Sequence, residues 1–263
     1  MTKALSVVRS ILFLAYMTLS VIPWGLVVCI CAPFLTADQI YRWCINWVAL
    51  AHHGATWICG VKKRVIGMEN VPSAQDARGA VILASKHQST WETFAFPVVM
   101  PHPLAYVFKR ELIYVPFFGW AMARMDMIHI DRSKRNEAWN KVAAQGKRLS
   151  SLGKWVIMFP EGTRSARGSQ GIYKSGATRL AIANNVPVVP IAVDSARCWP
   201  RKSFWLKPGV VTISIGKPIS PQGREPEEMM REVEAWIEAE MRRLDPEAYA
   251  QPQAAPAPAP KAA

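Results

Sequence analysis

Beyond Gly60 the chain alternates short apolar runs with longer amphipathic stretches, and that alternation admits few folds. Residues 61–67, 80–85, 104–108, 127–130, 155–159, 186–193 and 210–215 each read as a strand. A strand with one wet face alternates apolar and polar residues. These runs are mostly continuous in hydrophobicity, as strands buried on both faces must be. Between them, residues 89–99, 134–152 and 175–184 read as helices. The pattern predicts an α/β fold, an open and mostly parallel sheet covered by helices. A last helix over 225–244 spaces Met229, Val233, Trp236, Ile237 and Met241 by three and four, which gives it one apolar stripe to bury.

The first quarter obeys a different rule. No charged side chain occurs from Ser10 to Ala37, a run of 28 residues, where about 20 cross a hydrocarbon core as a helix. An N-terminal membrane-embedded helical segment is therefore expected. Pro23, near the middle of the run, removes a helix hydrogen bond and favours a kink or a break. Lys3 and Arg9 precede the run, and Arg42, Lys62, Lys63 and Arg64 follow it, so flanking charge does not choose an orientation. A kinked span and a shallow helical hairpin both fit. Trp43, Trp47 and Trp57 suit the headgroup level, though an ordinary core helix carries similar residues. The expected organisation is a membrane-embedded and interfacial helical segment over 1–60, an α/β domain over 61–250 and a disordered Ala/Pro tail over 251–263.

Charge narrows the partners. Thirty-two Lys and Arg against 19 Asp and Glu give a net charge of +13, an excess that faces anionic lipid, anionic small molecules or nucleic acid. The basic residues are scattered and no nucleic-acid-binding signature is present, so membrane lipid is the expected partner and nucleic acid is not. None of the five cysteines forms a Cys-x-x-Cys pair, and His52-His53 lacks a third ligand at fitting spacing, so no metal is expected.

Two short segments carry chemistry. His87 and Glu92 stand five residues apart where a strand ends and a helix begins, the edge at which open α/β sheets bind ligands. A histidine oriented by a carboxylate can take a proton from an alcohol. Glu92 also fits a capping box, with Ser89 as N-cap and Glu92 reaching back from the third helical position. About seventy residues later comes Glu161-Gly162-Thr163-Arg164, a turn whose arginine can hold an anionic head group or form a structural ion pair with Glu161. No Gly-x-Ser-x-Gly occurs, so an acyl-serine intermediate has no support and direct attack by a bound alcohol is simpler.

With these segments the chain resembles the glycerolipid acyltransferase superfamily, nearest its bacterial 1-acyl-glycerol-3-phosphate acyltransferases. Four motifs of that superfamily occur in order. They are His87 to Glu92, Gly119 through Arg132 closing in Ile130-Asp131-Arg132, Glu161-Gly162-Thr163-Arg164, and Val186-Pro187-Val188-Val189-Pro190-Ile191. Two positions depart from the pattern: Glu92 stands where Asp is usual, and His129 where Phe is usual. The resemblance implies that His87 deprotonates the free hydroxyl of lysophosphatidic acid and Glu92 orients it. It implies that Lys109, Arg132, Glu161, Gly162, Thr163 and Arg164 bind the substrate, and that the donor is the thioester of acyl-CoA or acyl carrier protein, with no further cofactor. It also implies a bacterial inner (cytoplasmic) membrane protein with its catalytic domain on the cytoplasmic side. Another acceptor, such as glycerol 3-phosphate, another lysophospholipid or a lyso-aminolipid, stays open, as does a lipid-binding protein without turnover.

Overall fold

A computed structural model describes residues 3–72, 79–131 and 134–250. Arg132 and the tail over 251–263 lie outside the described residues. In chain order the elements are α1 (Lys3–Cys31), α2 (Ala37–Cys59), β1 (Val61–Ile66), β2 (Ile82–Ser85), α3 (Trp91–Val99) and β3 (Leu104–Lys109). There follow α4 (Phe118–Arg124), β4 (Ile128–Ile130), α5 (Arg135–Ser151), β5 (Trp155–Met158), α6 (Gly176–Asn184) and β6 (Val188–Val193). The chain closes with β7 (Gly209–Ile215), α7 (Pro226–Leu244) and α8 (Pro246–Tyr249).

The strands form one seven-stranded sheet in the order β1-β7-β6-β2-β5-β3-β4. Every pairing is parallel except β6 with β7, so β7 and β1 run against the other five. The expected mostly parallel sheet is present, and its continuous apolar runs have their reason in two filled faces. Leu83, Ile157, Val189 and Val211 meet Trp91, Phe96 and Cys59 on one face. Ile82, Val156, Val188 and Ala192 meet Leu180, Val233 and Ile237 on the other. Adjacent residues of β2 thus enter opposite cores, as the two-residue period of a strand requires. Met229, Val233, Ile237 and Met241 of α7 are buried, and Trp236, read as part of the same stripe, is half-buried.

α1 and α2 form an antiparallel hairpin. The Tyr16 hydroxyl donates to Leu50 O, Trp47 Nε1 to Ser20 Oγ at 3.1 Å, and Trp24 Nε1 to Trp43 O at 3.0 Å. Pro23 lies inside α1 without ending it. Of the kink or break expected at Pro23, the break does not occur, since one missing hydrogen bond is small beside these interhelical contacts. The hairpin turns at Ala32–Phe34, and Thr36 starts α2 with a complete capping box through Gln39. Gly60, at φ 73°, ends α2 and lets the chain enter β1. The hairpin lies along the domain, since Asp38 near its turn pairs with Lys154 and Ser10 near its base accepts from Leu206 N at 2.7 Å. Its outer side exposes Leu5, Val8, Ile11, Leu12, Leu19, Leu26, Ile30 and Phe34.

Candidate active site

β2 is the central strand, flanked by β6 and β5, which lie on opposite sides of it in the sheet. Lys86 extends its ladder by donating N–H to Ile191 O at 2.9 Å, and the chain then leaves the sheet at His87. The His87 ring stacks on Phe159 with centroids 4.0 Å apart and planes 20° apart. Its Nδ1 meets Glu92 Oε2 at 2.5 Å. Nε2 is then the ring nitrogen available to a hydroxyl, on a side chain 16% exposed. The other oxygen of Glu92 accepts the N–H groups of Gln88 at 2.8 Å and Ser89 at 2.9 Å, together with the Ser195 hydroxyl.

One carboxylate therefore serves both uses read from the sequence. Oε1 caps the start of α3 and Oε2 orients the imidazole. The capping box is only half formed, because Ser89 Oγ takes the N–H of Trp91 at 3.1 Å and not that of Glu92, and Thr90 stands at the N-cap. Glu92 is fully buried, and these donors supply what water would otherwise give a charged carboxylate.

The second segment closes over the first from the end of β5. Gly162, at φ 69°, allows the tight turn after Phe159 in which Gly162 N donates to Phe159 O at 2.9 Å. Ser165 donates to His87 O through its N–H at 2.7 Å and its hydroxyl at 3.1 Å. Arg164 donates to Thr90 Oγ1 at 2.5 Å, which sets its guanidinium at the N-terminus of α3 beside His87. Arg201 in turn donates to Arg164 O at 2.7 Å. Thr163 is exposed at the tip of the turn. Glu161 points inward: Oε2 accepts the His87 N–H at 3.0 Å, and Oε1 accepts Lys86 Nζ and the Gly171 N–H. Arg164 and Glu161 do not form the ion pair that the sequence left open; each has other partners.

Lys109 ends β3, two strands from β2 and hence roughly 10 Å along the same edge by ordinary strand spacing. Its ammonium pairs with Glu111 at 2.8 Å, both about half exposed, an interaction weak enough for a phosphate to displace. Next to it on β4, His129 Nε2 meets Lys141 Nζ at 2.6 Å. Burial, then Lys141 and Arg110, lower the basicity of His129. His52 packs on the Trp91 ring and His53 stacks on Trp57.

The family model described as Acyltransferase matches residues 62–194, which contain His87, Glu92, Lys109, Arg132, Glu161, Gly162, Thr163 and Arg164. The chain belongs to the acyltransferase family. A Pseudomonas aeruginosa protein named 1-acyl-sn-glycerol-3-phosphate acyltransferase is 38% identical to it over 243 residues, covering 91% of this chain and 92% of that one. A Saccharomyces cerevisiae protein of the same name is 28% identical over 202 residues, 76% of this chain and 64% of the yeast protein. The fold is that of the Thermotoga maritima 1-acyl-sn-glycerophosphate (LPA) acyltransferase crystal structure, with a TM-score of 0.76, 22% identity and coverage of 93% and 98%.

In this acyltransferase several residues that hold the site escape motif reading. Lys86 resembles any solvated lysine in the sequence, and Phe159 any core aromatic. Ser195 lies one residue past the family match and reaches Glu92 only because β6 neighbours β2. The polar pair Asp194-Ser195, closing an otherwise apolar strand, was the one signal available.

Proposed function

We propose that the protein transfers a fatty acyl group from the thioester of acyl-CoA or acyl carrier protein to the free hydroxyl of 1-acyl-glycerol 3-phosphate, giving phosphatidic acid. The observation that carries this reading is the Arg164 guanidinium, bound to Thr90 beside a His87 ring whose Nδ1 is committed to Glu92. A base and a fixed cation at one helix start suit a substrate with a hydroxyl near a phosphate. His87 Nε2 takes the hydroxyl proton as the oxygen attacks the thioester carbonyl. The C–O bond forms, the C–S bond breaks, and the imidazolium returns the proton to the departing thiolate. Glu92 keeps the ring in the tautomer that leaves Nε2 free and stabilises the imidazolium between the two steps.

Arg164, with Lys109 further along the edge, receives the phosphate, and the motif ending in Arg132 assigns that residue to the same task. Gly162 and Thr163 shape the turn that carries Arg164. Glu161 has no oxygen turned outward and serves by fixing the backbone of His87. The thioester is a co-substrate, and the chemistry needs no metal or other cofactor.

The hairpin supports a membrane setting. α3 packs under α2 through Trp47–Phe94 and His52–Trp91, and the 199–206 segment joins Arg164 to α1 through Arg201 and Leu206. The site therefore sits at the base of the hairpin, whose outer side is apolar. A helix pair lying in one leaflet places lipid head groups at that base. In a bacterium this is the inner membrane, with the domain on the cytoplasmic side where the water-soluble thioester donors are found.

The test is thiol release from acyl-CoA by isolated membranes supplied with 1-acyl-glycerol 3-phosphate. His87→Ala is expected to abolish release while the protein stays membrane-bound. Near-normal release in that variant would remove the assigned base. Acyl transfer only to other lysophospholipids would move the acceptor, and lipid binding with no thiol release by the unaltered protein would leave a binding protein.

A further inference from the structure

The residue before the proposed base is a fully enclosed charge. The Lys86 side chain is 0% exposed, and its ammonium donates to Glu161 Oε1 at 2.9 Å, Glu238 Oε1 at 2.6 Å and Ser169 O at 3.0 Å. An ammonium has three protons, and here each has an acceptor. Tyr173 closes the group by donating to Glu238 Oε1 at 2.8 Å, with its ring 5.7 Å from Nζ. Burial first, then Glu161 and Glu238, push the Tyr173 phenol far above its ordinary range, so it remains a donor.

Stability does not explain this arrangement. Burying charges costs several kcal/mol per ion, and well-packed apolar residues in their place are often neutral or stabilising. Glu238 Oε2 is buried with no hydrogen-bond partner, an added cost. What the network does achieve is geometric. Lys86 Nζ and Gly171 N hold Glu161 Oε1, which aims Oε2 at the His87 N–H. The packing leaves no slack, since a Cβ on Gly171 would stand 2.8 Å from Glu161 Oε1.

The geometry points to Lys86 as a positioning residue for the transfer reaction, held by Glu238 of α7 and acting through Glu161 on the backbone of His87. Helix α7, beyond the residue 194 limit of the family match, thereby becomes part of the apparatus that aims the imidazole. This rests on the acyl-transfer reading above. A ring displaced by about 1 Å from its hydroxyl can lose on the order of 10² in rate, while the phosphate site at Arg164 is untouched. The effect thus falls on kcat and not on KM.

The experiment measures steady-state transfer by the full-length protein in vesicles, with Lys86→Met, Glu161→Gln and their combination. Lys86→Met is expected to lower kcat by about 10²-fold, with both Michaelis constants within about two-fold of the unaltered protein. If Lys86 acts through Glu161, the combined variant is no slower than the slower single variant. A kcat near that of the unaltered protein, a loss confined to KM, or losses that multiply would each overturn the assignment. Should Lys86→Met fail to fold, Glu238→Gln keeps the side-chain volume and is expected to lower kcat by roughly 10-fold through a looser Lys86; an unchanged kcat there overturns it equally. His87→Ala run alongside separates the two claims. If it abolishes turnover and Lys86→Met does not lower kcat, the reaction stands and only the role of Lys86 falls.

Discussion

At the scale of single residues, the site depends on carboxylates whose oxygens have separate duties. Glu92 spends one oxygen on the α3 start and Ser195, the other on His87. Arg164 differs in kind, because its side chain is exposed and, among the described residues, donates to Thr90 Oγ1 at 2.5 Å. Arg164→Ala is accordingly expected to raise the KM for 1-acyl-glycerol 3-phosphate by 10- to 100-fold, about 1.4 to 2.8 kcal/mol of charge-assisted binding, and to leave the KM for acyl-CoA in place. Initial rates across a matrix of both substrates check this; a defect toward the thioester alone would place the phosphate elsewhere. His87, Glu92 and Arg164 were legible because each lies within a short segment whose spacing carries meaning. Lys86 and Ser195 were not, because their partners are 152 and 103 residues away and meet them only through the order of strands.

At the scale of elements, the periodicity located all seven strands and the four longest domain helices to within a few residues. Strands covered on both faces leave continuous apolar runs, and α7 leaves a stripe, so burial itself wrote these signals. The seven-residue α4 was missed, being too short to display a helical period. In the hairpin, the uncharged run exposed the element and left a kinked span and a hairpin open; contacts with α2 make the hairpin, and Pro23 does not break α1. Ile11, Leu19 and Ile30 remain exposed on its outer side and support no core. Replacing all three by Asn is expected to weaken vesicle binding by at least 10²-fold in cosedimentation, since each immersed side chain contributes about 1.5 to 3 kcal/mol. The unfolding temperature in detergent should stay near that of the unaltered protein. Retained vesicle binding would mean another surface meets the lipid.

At the scale of the whole molecule, the sheet explains why distant segments converge. The carboxyl ends of β2, β5 and β6 face one edge, so His87, the 159–165 turn and Ser195 arrive together although the chain visits them far apart. The reversal at β7 was not legible, because a buried strand has the same composition whichever way it runs. The hairpin rests on this domain at both its turn and its base. On the proposed reading, a hairpin lying along the domain rests in one leaflet, and the protein then meets its acceptor as a crowd on a surface, never as a solute in a volume. Catalysis should then follow how thickly acceptor molecules are spread across the leaflet. At constant total acceptor, spreading them through increasing amounts of inert phosphatidylcholine is expected to slow turnover in proportion to their mole fraction, while stirring in more buffer changes nothing; a rate that ignored lipid dilution would show that the acceptor is captured from water.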